Sequence, residues 1–229
     1  MDENYISRQI CVFKTNKALI EANDKLNFAS TQNYAHIHAS GEIDEESGRK
    51  TYSRIGIEMR DYSKGTGDQL IKVSANLTHQ DIDYLYCVIA RGEKIFNFEQ
   101  CKIFALSPDK QSCKFTRLHI RRFIREQKEG EKPQERFWEI SIENGTATPV
   151  ELKSGGRYGK DFQVGAKVAI YLTDQEYHDF IYSIHLYCWA WAITISSTLI
   201  AEGKAALFTR MAETSAAEED TSPMDQDAA

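Results

Sequence analysis

The sequence has no Cys-x-x-Cys pair, no glycine-rich phosphate loop, no Gly-x-Ser-x-Gly turn and no catalytic Cys/His pairing, and each absence removes a class of protein. The five cysteines, Cys11, Cys87, Cys101, Cys113 and Cys188, are odd in number and widely spaced, so they read as buried thiols in a reducing compartment rather than as zinc ligands or a disulfide framework. Without a phosphate loop or an activated nucleophile, a non-enzyme is expected. His36 and His38 share a strand face but lack a third local ligand, and neither a metal nor another cofactor is expected. Met1 to Ser7 is polar, and Lys14 and Lys17 interrupt the next stretch of chain, so no secretory signal is expected and the chain reads as cytoplasmic.

A lipid-facing helix is also missing. The stretch from Phe180 to Ala201 approaches the roughly 20 apolar residues of a membrane span. Tyr182, Ser183, His185, Tyr187, Thr194 and Ser196 to Thr198 make it too polar, and no Lys/Arg cluster flanks it. The expectation is a helix covered by its own sheet and by neighbouring subunits, with no membrane partner. Basic residues are absent after Ala212, where six acids stand: Glu213, Glu218, Glu219, Asp220, Asp225 and Asp227. Removing those six from the 34 acids leaves 28 against 28 bases, so residues 1–211 are neutral and the acidity is concentrated in a tail expected to be disordered.

What is present is a repeat. Leu77-Thr-His-Gln-Asp-Ile-Asp-Tyr-Leu-Tyr-Cys87 recurs as Leu172-Thr-Asp-Gln-Glu-Tyr-His-Asp-Phe-Ile-Tyr182. Each copy follows a strand-like apolar run and opens a helix, with Thr78 or Thr173 placed to cap it and Asp81 or Glu176 placed to close a capping box. Strand patterns precede the first helix at Gln9 to Thr15, Tyr34 to Ile43, Tyr52 to Asp61 and Gln69 to Ala75. They precede the second at Lys94 to Leu106, Cys113 to Glu126, Arg136 to Glu143 and Lys167 to Tyr171, with Gly155 to Gly159 as a flexible loop. The expected fold is therefore α+β, a duplicated unit of four antiparallel strands and a packing helix. The half-repeats are about 8–92 and 93–200 within one domain of 1–211, followed by an acidic tail of 212–229. Ile82, Leu85, Tyr86 and Ile89 form the apolar stripe of the first helix. Tyr177, Phe180, Ile181, Ile184, Tyr187, Cys188 and Trp191 form that of the second.

The strand from Cys113 carries the strongest functional signal. Alternation puts Leu118, Ile120 and Ile124 on one face and Phe115, Arg117, His119, Arg121, Phe123 and Arg125 on the other, with Lys114 and Arg122 adding charge. No acid occurs between Lys110 and Arg125. Guanidinium groups beside rings suit phosphates and unstacked bases, the two things a single-stranded nucleic acid presents. The plain alternative is a solvated strand whose arginines pair with Glu139 and Glu143.

The segments Phe115-Thr-Arg-Leu-His-Ile-Arg121, Arg136-Phe-Trp-Glu-Ile-Ser-Ile-Glu-Asn144 and Val168-Ala-Ile-Tyr-Leu-Thr173, leading to Phe180 and Trp191, resemble the last three strands and helix of the Whirly family of single-stranded-DNA-binding proteins. More distantly, the chain is similar to the positive-cofactor transcription coactivators. The family's Lys-Gly-Lys-Ala-Ala-Leu motif lies in an early strand, whereas Glu202-Gly-Lys-Ala-Ala-Leu207 follows the second helix here, so no site is transferred from it. The resemblance implies a sheet surface for single-stranded DNA, a role in DNA maintenance or transcription regulation, and homo-oligomers, commonly tetramers, gathered through the helix at 173–195. RNA is the alternative ligand, because stacking faces and phosphate partners serve both. An oligomeric structural or protein-interaction module is the alternative function.

Overall fold

Local chemistry builds two equivalent strand-to-helix junctions. The computed structural model describes residues 7–26, 42–43, 50–51, 53–125, 130 and 132–220. Thr78 Oγ1 accepts the Asp81 N–H at 3.0 Å while Asp81 Oδ2 accepts the Thr78 N–H at 2.8 Å, and helix α1, His79–Ala90, begins there. Thr173 and Glu176 repeat the exchange at 3.1 and 2.8 Å at the start of α2, Asp174–Asp220. Both expected capping boxes are thus formed, and each satisfies two backbone donors that a helix start leaves free. Gly92, at φ 65°, ends α1 in the left-handed conformation that other residues resist.

The strands in chain order are β1 Gln9–Lys14, β2 Ala18–Lys25, β3 Glu42–Ile43, β4 Lys50–Thr51, β5 Arg54–Asp61, β6 Ile71–Leu77, β7 Phe96–Leu106, β8 Cys113–Arg122, β9 Trp138–Glu151 and β10 Arg157–Leu172. They form two antiparallel four-strand sheets, β1-β2-β5-β6 before α1 and β10-β9-β8-β7 before α2. The fold is α+β with a duplicated four-strand-plus-helix unit. The chain forms two units, one of Met1–Lys25 and Arg54–Cys188, the other of Leu26–Ser53 and Trp189–Ala229. The first holds both sheets, α1 and the start of α2. In the second, β3 pairs with β4 and α2 continues.

Strand register makes the duplication visible side chain by side chain. The rows Ala22–Ile57–Ala75 and Ile20–Met59–Val73 of the first sheet match Ile120–Ile140–Ile170 and Leu118–Ile142–Val168 of the second. All twelve side chains are buried. Each helix touches the edge strand of the other half. Tyr84 of α1 lies 6.0 and 6.4 Å from the rings of Phe96 and Phe98 on β7, and the Cys11 thiol of β1 reaches the Phe180 carbonyl of α2 at 3.7 Å. The core-facing stripes are Ile82, Leu85 and Val88 on α1, and Tyr177, Phe180, Ile181, Ile184 and Cys188 on α2. Tyr187, expected inside, instead points outward and donates to Asp24 at 2.8 Å.

Four expectations about elements change. The second strand of the first sheet is β2, not Tyr34 to Ile43, of which residues 34–41, including His36 and His38, lie outside the described residues. Strand β2 hides its alternation because Glu21 is buried, holding Gln9 Nε2 at 2.7 Å and Arg60 Nη2 at 3.1 Å. Strands β9 and β10 run 14 and 16 residues, β9 well past its expected end and β10 from well before its expected start, so Arg157 to Gly159 are strand residues rather than parts of a loop. Their glycines mark close approach: a Cβ on Gly145 would lie 2.0 Å from the Gln163 carbonyl, beside register shifts at Lys160/Gln163 and Val164/Ala166. Helix α2 persists to Asp220, inside the stretch expected to be disordered, because Ala212, Glu213, Ala216, Ala217, Glu218 and Glu219 favour helix without needing burial. Residues 221–229 of that tail lie outside the described residues.

All five cysteines are free, with Cys113 and Cys188 buried but Cys87 and Cys101 exposed, against expectation. Among the described residues no helix is long and apolar enough to cross a membrane.

Candidate nucleic-acid interface

Pairing across the second sheet places the β8 side chains in rows. On the outer face these read Asn97–Arg121–Glu139–Tyr171, Glu99–His119–Ser141–Ala169 and Cys101–Arg117–Glu143–Lys167. Glu139, buried, accepts from Arg121 Nε at 2.8 Å. Glu143 takes Lys167 Nζ at 2.8 Å and Arg117 Nη1 at 3.4 Å. His119 hydrogen-bonds Asn97. Most of this face is therefore a charge-compensated lattice, the plain alternative weighed from the sequence.

The seven residues expected to form the site divide into four groups. Phe115 is not a surface ring. The far half of the β9–β10 hairpin folds over it, so Phe115 packs with Cys113 and Ala147 and lies 4.7 Å from the Phe162 ring. Lys114 falls on the opposite side of the strand, beside a separate cleft that includes Phe104 and Gly145. Arg117 lies with its guanidinium 4.9 Å above Phe162, and with His119 it belongs to the compensated lattice.

Arg121, Phe123 and Arg125 come together in one place. They line an open cleft of about 730 Å³ with Lys132, Arg136, Tyr171, Pro133, Gln134, Glu135 and Glu139. Among the described residues four cations thus face two acids, one of which, Glu139, is already held by Arg121. Tyr171 is 45% exposed, and Arg121 sits 5.1 Å over the Phe123 ring. Among the described residues neither Arg125 nor Lys132 has a salt-bridge partner.

One side chain holds the cleft in shape. Gln134 Oε1 accepts the Arg125 N–H at 2.7 Å, while its Nε2 donates to the carbonyls of Phe123 at 3.2 Å and Arg136 at 2.9 Å. The segment leaving β8 is thereby tied to the one entering β9, with the Phe123 N–H to Phe137 carbonyl bond of 2.9 Å beside it. Arg136 donates to the Tyr171 carbonyl and approaches Glu176 at 3.5 Å. Lys132, Arg136 and Tyr171 were not found from the sequence. For Tyr171 the signal would have been the register that aligns it with Arg121, and register across three strands is not local information.

Arg122, counted from sequence as free charge, is committed to structure. Its Nε and Nη2 each bond Asp174 at 2.9 Å, and Nη1 donates to the Lys94 carbonyl at 2.7 Å. Hydrogen bonding from Arg122, aided by Trp138 Nε1 at 2.8 Å, holds the Asp174 carboxyl below the ordinary aspartate range against the opposing effect of burial. The corresponding outer face of the first sheet carries Glu21, Glu58, Arg60 and Lys72, an ion-pair cluster of mixed sign. Among the described residues no cluster of His, Cys, Asp and Glu could hold a metal ion.

No protein-family model matches the chain, and no curated protein matches it significantly. Among solved structures it is similar to the crystal structure of WHY1 from Arabidopsis thaliana, at 10% identity and a TM-score of 0.35, over 83% of this chain and 92% of that one. So loose a likeness leaves function to be argued from the site itself.

Proposed function

We propose that this protein binds single-stranded nucleic acid, most readily DNA, in the Arg121–Arg136 cleft and acts there without catalysis, in DNA maintenance or transcription regulation. The observation that carries the reading is the joining of Arg121, Arg125, Lys132 and Arg136 with the rings of Phe123 and Tyr171 in one open cleft. The cations suit phosphates, whose counterions are released on binding, and the rings suit unstacked bases of any sequence. Duplex fits poorly, since its bases offer no free faces to those rings. RNA remains the alternative ligand, and only contacts to the 2′-hydroxyl distinguish the two.

Titration of fluorescent single-stranded DNA, duplex DNA and RNA at two salt concentrations tests the reading. The expected result is preference for single strands, weakening with salt, and a shallower salt dependence in Arg125→Ala/Lys132→Ala. A folded double variant with unchanged affinity and salt slope rejects the cleft.

A second reading rests on α2, where Leu186, Trp189 and Ile193 are 47, 58 and 50% exposed. Exposed apolar groups on one helix are typical of interfaces. In this reading the helix at 173–195 joins copies of the chain into a homo-oligomer. Sedimentation of the purified protein as a monomer without detergent rejects it.

A further inference from the structure

The basic cleft does not end at Tyr171. Arg136 and Tyr171 also line a neighbouring cleft of about 490 Å³, whose opposite wall is the β1–β2 turn Thr15-Asn-Lys-Ala18, with Asp61 and Ser63 beyond it. Tyr171 thus stands between two concave surfaces, one built from the second half-repeat and one shared by both.

The turn is fixed in place. Thr15 Oγ1 donates to the Ala18 carbonyl at 3.0 Å and accepts the N–H groups of Lys17 and Ala18 at 3.2 and 3.0 Å. From outside, the Tyr62 N–H holds the Lys17 carbonyl at 2.8 Å, and its hydroxyl donates to the carbonyls of Thr15 and Ala18. Lys17 therefore stands on a preorganised base, and among the described residues it makes no salt bridge. Asp61 is the acid in this lining, its carboxyl kept low by hydrogen bonds from Ser63. Both Lys17 and Lys64 are close enough to stabilise its charge.

We infer that the second cleft receives the continuation of the same single strand, which passes over Tyr171 and sets a phosphate against Lys17. The inference rests on reading the first cleft as a single-strand site. A polynucleotide repeats its charge with every residue, so a chain leaving Arg136 carries a further phosphate toward the next cation. The Thr15 hydroxyl is consumed within its own turn, and Ala18, Ala169 and Ile170 offer no side-chain hydrogen bonds. The second cleft therefore grips backbone at Lys17 and stacks on Tyr171, leaving the Asn16 side chain as the group that meets a base edge. Asp61 opposes the strand and limits its affinity.

Length dependence tests this. Full-length protein is titrated with fluorescent oligothymidylates of about 4 and about 12 nucleotides. Lys17→Ala should weaken the longer ligand about fivefold and lower its salt slope by about 0.7, with the shorter ligand unchanged. Asp61→Asn should tighten the longer ligand alone, a gain that damage to the fold would not produce. If neither variant changes the longer ligand, or both change the two lengths equally, the extension is wrong and the first cleft stands. If wild-type protein binds neither length, the first cleft is wrong and the extension falls with it.

Discussion

The side-chain amide of Asn144 on β9 serves Ser74 on β6 as a neighbouring strand would: its Oδ1 accepts the Ser74 N–H at 2.8 Å and its Nδ2 donates to the Ser74 carbonyl at 2.9 Å. Strand β6 is the edge of the first sheet, and an edge leaves a row of backbone groups without partners. Asn144 closes that row at Ser74, and Lys102 Nζ closes it at the Asn76 carbonyl, 2.7 Å away. The two half-repeats are stitched together at an edge that would otherwise invite another chain.

Asn144→Ala should lower the free energy of unfolding by about 2 kcal/mol, since it strands a donor and an acceptor together. Asn144→Asp keeps the acceptor and loses the donor, so its loss should be smaller. Urea unfolding of both variants measures the difference. Equal stability of all three proteins would show that the bridge contributes nothing.

Asp174 gives stability a dependence on acid. Its carboxyl lies lower in the folded chain than in the unfolded one, so its contribution is complete above the ordinary aspartate value and is lost as pH falls through the folded value. The window therefore opens below about pH 4. Urea midpoints taken from pH 6 to pH 3 should fall more steeply in wild type than in Asp174→Asn, which lacks the titrating group. Parallel curves would assign the acid sensitivity to other carboxylates.

Tyr177 stacks on Trp138 with centroids 3.7 Å apart and planes 7° from parallel, and its buried hydroxyl has no hydrogen-bond partner among the described residues. Tyr177→Phe keeps the stack and removes the stranded hydroxyl. An increase in stability of about 1 kcal/mol is expected. A decrease in thermal midpoint would mean that the hydroxyl has a partner, such as a buried water.

The two phenylalanines of the β8 segment should behave in opposite ways. Phe115→Ala opens the small cluster with Cys113, Ala147 and Phe162, and should cost about 3 kcal/mol of stability. Phe123→Ala should leave the fold intact and cost about 1 to 3 kcal/mol in single-strand binding. Thermal melts beside titrations separate these outcomes, and a binding loss confined to Phe115→Ala would return the interface to the sequence-based face.

Releasing Arg121 should have the reverse effect on binding. Glu139→Gln preserves the shape of the partner but removes its charge, so affinity for single strands should rise at low salt and converge with wild type at high salt, where screening dominates. No change at low salt would mean that Arg121 does not reach the ligand.

The parts of the fold that the sequence disclosed depend on neighbours in the chain. A capping box needs only Thr78 with Asp81, or Thr173 with Glu176, and the helix stripes need only a few turns. Strand β2 was hidden because a buried acid, Glu21, interrupts its apolar pattern, and its compensation by Arg60 lies 39 residues away. Gly159 of β10 looked like a loop residue, and Gly145 and Gly165 lay outside the expected strands, although all three sit within one long hairpin. Its far half buries Phe115 and so altered the site. Of the proposed interface, Arg121, Phe123 and Arg125 were legible by alternation. Tyr171 was not, because it meets Arg121 only through Glu139 on the intervening strand.

Resemblance between halves also creates a hazard during folding, since β5 and β9 could each try to pair with β6 or β10. One of the two matched core rows discourages this by size, the other setting Val73 where its counterpart has Val168. Ile57 lies between Ala22 and Ala75, whereas Ile140 lies between Ile120 and Ile170. Setting β10 beside β5 would press Ile170 into space shaped for Ala75, and overpacking of that kind costs about 1 to 3 kcal/mol. Setting β6 beside β9 would leave a hole of similar size. Unequal side-chain volume at that row thus works as a key that favours each strand in its own half of a chain built twice from one pattern.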